Sequence, residues 1–180
     1  MDWDERYAKH GRPFGDEPNE FVAWAITDGP LAAGLVPGAR ILCPGDGYGR
    51  HGIWLAERGH RVLGIDLSQT ATRDARRRAA ETPGDYTAIT ADLSGEPYPV
   101  EDGRQFEAIV AVWFRLPQLA ARTAWNRAAT GHLLPRGRIL VVTGAAVTSA
   151  EAEIAEWPPV ISWSDHSTAR EIRLLGELLD

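Results

Sequence analysis

A doubly wound, mostly parallel α/β sheet closed by an antiparallel C-terminal hairpin is the fold this sequence predicts, and three observations predict it. Apolar strand-like runs alternate with capped helical stretches from Arg40 to Thr143, the pattern of repeated strand–helix units. A turn with glycines at alternate positions, Gly45-Asp46-Gly47-Tyr48-Gly49, joins the first strand to its helix. Beyond the fifth strand the rhythm changes to two short runs, Val160–Ser164 and Ala169–Leu175, around Asp165-His166-Ser167-Thr168, which reads as a hairpin.

The whole chain bounds what these elements do. At 180 residues it has the length of one domain, 1–180, with room for a substantial core. Its 44% hydrophobic and 24% charged residues suit a soluble globular protein. Lys and Arg number 19 against 25 Asp and Glu, a net charge of −6, and this acidic balance argues against nucleic acid as a major partner. The single cysteine, Cys43, excludes an internal disulfide and a cysteine-rich metal site, and no metal site is expected. Without a basic-then-apolar start or an 18-residue apolar run, the chain reads as cytoplasmic, with no membrane partner.

The elements follow in order. Residues 1–20 mix aromatics, charges and turn formers without a sustained period, and read as an arm over the site. Asn19 is a candidate N-cap for a helix over Phe21–Ile26, and Pro37-Gly38 turns into the first strand, which ends in Ile41 and Leu42. A helix from Arg50 to Arg58 stops at Gly59, and the second strand closes on Asp66. Ser68 caps a helix from Gln69 to Ala80, whose Arg73, Arg76, Arg77 and Arg78 read as a solvated face. The third strand, Tyr86–Ala91, leads to Asp92, and an acidic loop from Gly95 to Arg104 precedes the continuously apolar fourth strand, Phe106–Val112. Pro117 opens a helix over Gln118–Thr130, packing through Leu119, Ala120, Trp125 and Ala128. A turn at Leu133–Gly137 leads into Arg138–Thr143, the fifth strand, and Ser149–Glu156 leaves room for a short helix.

The turn and Asp66 together suggest a nucleoside site. Glycines let the backbone turn sharply and come close to a ligand, and a carboxylate at the end of the second strand accepts both hydroxyls of a ribose. Two registers are open. Gly47-Tyr48-Gly49-Arg50-His51-Gly52 fits a dinucleotide fingerprint, and Gly45-Asp46-Gly47-Tyr48-Gly49 fits a different, shorter one. Asp92 is placed to accept an adenine amine, and Trp113-Phe114 follow the fourth strand on the edge where parallel sheets bind ligands.

The second register, with its surroundings, resembles a known family. Trp3-Asp4-Glu5-Arg6-Tyr7, Phe14 to Asn19, Gly45 to Arg50, Trp54 to Gly59, Gly64-Ile65-Asp66-Leu67-Ser68, Leu116-Pro117 and Leu134 to Arg138 resemble small class I S-adenosylmethionine-dependent methyltransferases of the tellurite-resistance and thiopurine type. The resemblance implies a Rossmann-like methyltransferase sheet with S-adenosylmethionine as cofactor. It carries cofactor binding to Gly45, Asp46, Gly47, Asp66, Leu67, Asp92 and Leu93, with Phe14 and Trp113 beside the cofactor. Three departures stand out: Cys43 replaces the usual acid before the glycine turn, Arg115 stands where relatives often carry histidine, and the segment before the hairpin is short.

The activity expected is methyl transfer to a small molecule. His166, in the hairpin loop, is the expected general base, with His51 second. Arg115 suits an anionic acceptor through a forked contact, or else pairs with Glu107 or another acid. Cys43 reads as a buried small hydrophobe. Two other readings keep the pocket: a cofactor-binding protein that promotes a cyclisation or rearrangement, and a module without catalysis. Acceptor identity and oligomeric state stay open.

Overall fold

Seven strands form one sheet in a computed structural model of the chain, which describes residues 2–101 and 103–179. Met1 and Asp180, the ends of the expected domain, and Asp102 of the acidic loop lie outside the described residues. The strands are β1 (Arg40–Pro44), β2 (Arg61–Asp66), β3 (Asp85–Thr90), β4 (Phe106–Val112), β5 (Leu133–Gly144), β6 (Ile161–Asp165) and β7 (Glu171–Leu178). Their order across the sheet is β3-β2-β1-β4-β5-β7-β6. The first five strands pair in parallel, and β7 pairs antiparallel with both β5 and β6. The order reverses between β1 and β4, where open parallel sheets leave a crevice at the carboxyl edge.

Period-two alternation splits each central strand between two covered faces. Ile41, Val110 and Leu140 pack on one side with Phe21, Val22 and Leu55. Leu42, Ile109 and Ile139 pack on the other with Trp125 and Leu174. Both faces are dry, which is why these strands read as continuous apolar runs.

The helices are α1 (Trp3–His10), α2 (Glu20–Thr27), α3 (Gly52–Ala56), α4 (Gln69–Glu81), α5 (Leu119–Gly131) and α6 (Ala150–Ile154). Their starts follow capping chemistry: Asn19 accepts from the Phe21 N–H, Ser68 from Ala71 and Ser149 from Ala152. Gly59, at φ +86°, ends the turn after α3. None of the helices is long and apolar enough to cross a membrane among the described residues.

Four expectations are corrected here. The N-terminal arm carries a helix, α1, capped by Asp2 and anchored by its one buried residue, Tyr7, which meets Tyr48 edge-on at 5.9 Å. A single buried position leaves no period to read. The helix after the glycine turn is shorter than Arg50–Arg58. On α5 the buried stripe runs Ala121, Trp125, Ala129 at four-residue spacing, so Ala120 faces solvent and Leu119 is 57% exposed. The arginines of α4 are not all solvated: Arg76 donates to the Ala88 carbonyl and Arg78 to that of Tyr48, tying α4 to β3 and to the glycine turn.

Candidate functional site

The site is built around the β1–α3 turn. Gly45, Gly47 and Gly49 have φ of +66°, +57° and +78°, a region that other L-residues rarely enter. The chain itself also closes on the first two. A Cβ on Gly45 would lie 2.6 Å from the Phe114 ring, and one on Gly47 would lie 2.7 Å from the Tyr7 hydroxyl. Asp66, at the end of β2, holds the turn from the side: its Oδ2 accepts the Gly47 N–H at 2.9 Å and its Oδ1 accepts the Ser68 N–H at 2.8 Å. Burial raises the Asp66 pKa, and these two N–H donors oppose the shift.

Asp46 points inward. The Tyr86 hydroxyl donates to its Oδ2 at 2.9 Å and the Gly52 N–H to its Oδ1 at 3.2 Å. A Cβ on Gly52 would lie 2.3 Å from that carboxylate, so this glycine makes room for it. Burial pushes the Asp46 pKa up to about 7, against the pull of its hydrogen bonds. A buried carboxylate thus stands within the turn itself, three residues after Cys43. Cys43 is fully buried with its thiol pKa pushed up by burial, the state of an inert core residue.

A cavity of about 390 Å³ opens above the turn, at the carboxyl edge between β1 and β4. That volume lies in the range of small-molecule sites. Of the residues expected to bind cofactor, Gly45, Asp46, Asp66 and Asp92 line it. Phe14, Leu67, Leu93 and Trp113 add apolar wall. Gly47 sits behind, as the donor that holds Asp66. Asp92 is exposed and accepts the Ser94 N–H at 2.8 Å, which lowers its pKa.

The arm closes one side. Trp3 and Tyr7 of α1 line the cavity beside Phe14. Asp4 fastens α1 by accepting from the Ser68 hydroxyl at 2.6 Å and the Thr70 N–H at 2.8 Å. Tyr48 donates to the Gly15 carbonyl at 2.7 Å. The aromatics of the arm, Trp3, Tyr7 and Phe14, were readable as cover for a ligand, but the sequence reading missed Tyr86 and Asp4 as parts of the site. Each acts on a partner 40 or more residues away, so no local pattern marks them.

Of the two expected catalytic residues, Arg115 lines the cavity and His166 does not. Arg115 lies at the cavity edge, but its guanidinium is held by the buried carboxylates of Glu153 and of Glu156, the latter at 2.6 Å. Glu156 also accepts from Arg122 at 2.8 Å. Glu107 is not the partner of Arg115, because it takes Arg40 instead. The forked contact expected for an anionic acceptor is therefore made within the protein.

His166 does not line the cavity. Its hairpin loop does reach the carboxyl edge, but β7 and β6 lie beyond β5. The imidazole packs 5.6 Å from the rings of Phe21 and Trp24 instead. His51 does line the cavity, and its Nε2 accepts the Asn19 N–H at 3.2 Å. Burial, with a smaller push from Arg50, lowers its pKa to about 3. Its basic lone pair is occupied and the ring stays neutral. Among the described residues, no group of three or more His, Cys, Asp or Glu side chains is arranged to hold a metal ion.

Comparison with known proteins extends this picture. Residues 41–137, more than half of the chain, match the family described as methyltransferase domain. Thiopurine S-methyltransferase of Pseudomonas entomophila is 51% identical over 43 residues, 24% of this chain and 20% of that relative, so the match spans about a fifth of the relative's length. A TehB-like S-adenosylmethionine-dependent methyltransferase from Corynebacterium glutamicum superposes with a TM-score of 0.72 at 20% identity, over 97% of each chain. N-methyltransferase NodS of Bradyrhizobium japonicum, in complex with S-adenosyl-L-homocysteine, gives 0.75 at 15% identity, over 98% of this chain and 96% of that one. At such identities these two structures establish the fold.

Proposed function

The chain belongs to the methyltransferase domain family, and from that premise we propose that it methylates a small molecule carrying a soft nucleophile, using S-adenosylmethionine. The observation that carries this reading is the cavity floor: a glycine turn with positive φ, flanked by the Asp66 and Asp92 carboxylates on adjacent strand ends. The positive φ of Gly45 and Gly47 shapes the turn above which the cofactor would rest. Each Asp66 oxygen keeps a lone pair beyond its backbone bond, enough for the two ribose hydroxyls. Asp92 has the same capacity toward an adenine amine. Leu67 and Leu93 would flank the base, and Trp3, Tyr7 and Phe14 would cover the site against water.

When bound, S-adenosylmethionine supplies a methyl group already activated on a sulfonium. The protein's share is then alignment and a dry pocket. Among the described residues lining the cavity, the one imidazole, His51, has its Nε2 lone pair engaged, and Asp46 is satisfied by Tyr86 and Gly52. With Asp66 and Asp92 taken up by the nucleoside, this favours an acceptor that loses its proton unaided, such as a thiol. The name of the Pseudomonas relatives agrees with a sulfur acceptor.

The test is to supply S-adenosylmethionine with a thiol, the matched alcohol and the matched amine, following product mass and S-adenosylhomocysteine together. The reading expects the thioether, formed in step with S-adenosylhomocysteine. Methylation of the alcohol alone would contradict the base-free site, and product without S-adenosylhomocysteine would point to a non-methylating reaction.

A further inference from the structure

Trp113 stands apart from the rest of the cavity wall. It follows β4 with φ +56°, a conformation that is a genuine outlier for so bulky a residue and that clusters at ligand clamps. Its N–H donates to the Val142 carbonyl at 2.7 Å, so the chain leaves β4 toward β5. The indole then lies across the end of β5: a Cβ on Gly144 would sit 2.9 Å from its Cζ3 and 3.3 Å from its Cη2. A bare backbone at Gly144 is what allows the ring to settle there. The residue remains 49% exposed, lines the cavity, and has no aromatic ring stacked on it among the described residues.

Position separates it from the nucleoside-binding groups. Gly45, Asp66 and the residues leading to Asp92 end β1, β2 and β3 on one side of the crevice. The Trp113 ring reaches the other way, over β5. A flat, rigid, half-exposed ring held by a strained backbone on the side away from the nucleoside groups is suited to meeting the second substrate.

We propose that Trp113, seated on Gly144, is a specificity-determining platform for the methyl acceptor and selects a planar, π-bearing molecule by stacking. This rests on the reading of the cavity as a methyl-transfer site, and it moves Trp113 from the cofactor's side to the acceptor's.

The experiment measures binding, so it does not depend on turnover. Protein saturated with S-adenosylhomocysteine is titrated, at a pH low enough to keep both thiols protonated, with thiophenol and with cyclohexanethiol, which carry a neutral thiol on rings of the same carbon count and then differ in planarity. The wild type is expected to favour thiophenol by roughly three- to tenfold, the value of one aromatic stack. Trp113→Leu removes the plane, and Gly144→Ala keeps the indole but displaces it. Both substitutions should abolish the preference, with S-adenosylhomocysteine affinity in Gly144→Ala within about twofold of wild type. Absence of a preference in the wild type, including failure to bind either thiol, overturns the proposal. So does a preference that survives both substitutions. A tenfold loss of S-adenosylhomocysteine affinity in Trp113→Leu would return the residue to the cofactor side. Failure of the methyl-transfer reading shows separately, as a protein that does not bind S-adenosylhomocysteine at all.

Discussion

The two sides of the cavity are built by different means. On the β1–β3 side the Asp66 carboxylate is held from nearby in sequence, by the Gly47 N–H across 19 residues and the Ser68 N–H across two, while Tyr86 and Asp4 brace Asp46 and Ser68 from 40 and 64 residues away. On the β4–β5 side the loop after Val112 is held by distant partners, with Arg115 fastened to Glu153 and Glu156, 38 and 41 residues on. On the proposed reading the first side takes the constant cofactor, and the second, held together from across the fold, takes the acceptor.

The largest expected effect falls on the second side. Arg115→Ala strips the counter-charge from buried Glu153 and leaves Glu156 with Arg122 alone, and losing one partner of a buried ion pair costs about 3–5 kcal/mol. The melting temperature should drop by roughly 6–20 °C. If stability holds and only acceptor affinity falls, Arg115 faces substrate after all and the contrast between the two sides breaks.

Asp66→Ala probes the first side. Losing hydrogen bonds to a charged acceptor costs about 1.5–3 kcal/mol, so calorimetry should show S-adenosylhomocysteine binding weakened by roughly ten- to 200-fold. An unchanged affinity would remove Asp66 from the nucleoside site.

A pH series sharpens the account of Asp46. Its folded pKa of about 7 lies above the ordinary value of 3.8, so its contribution to stability is fully present below about pH 3.8 and is lost as pH rises through 7. Wild-type thermal stability should therefore carry a downward component between these values. Asp46→Asn, neutral and of the same shape, should flatten that component. A parallel decline in both proteins would show that the carboxylate titrates normally.

The smallest effect is expected at His166. With its ring packed on Phe21 and Trp24, His166→Ala should change methyl-transfer turnover by less than about twofold. A loss of a hundredfold, with a shifted pH–rate profile, would restore it as a base.

The same contrast explains what the sequence disclosed. The doubly wound, mostly parallel sheet follows from alternating strand and helix patterns, and the glycine turn, Asp66 and Asp92 are legible because each sits at the end of a recognisable strand. Tyr86, which donates to Asp46 from β3, looks like any strand residue. The pairing of Arg115 with glutamates in and after α6 depends on a turn of α6 that no spacing rule foretells. For His166, the loop and its edge of the sheet were readable, but its distance from the cavity follows from β7 and β6 stacking outward from β5. The helix in the arm escaped because only Tyr7 is buried, leaving no apolar stripe to see.

The central claim is that the β1–β3 side is shaped for the nucleoside of S-adenosylmethionine. Isothermal titration of the same protein with S-adenosylhomocysteine and with a nicotinamide dinucleotide tests it most directly. The account predicts saturable binding of S-adenosylhomocysteine that the dinucleotide does not displace. Saturable binding of the dinucleotide with none of S-adenosylhomocysteine would contradict it.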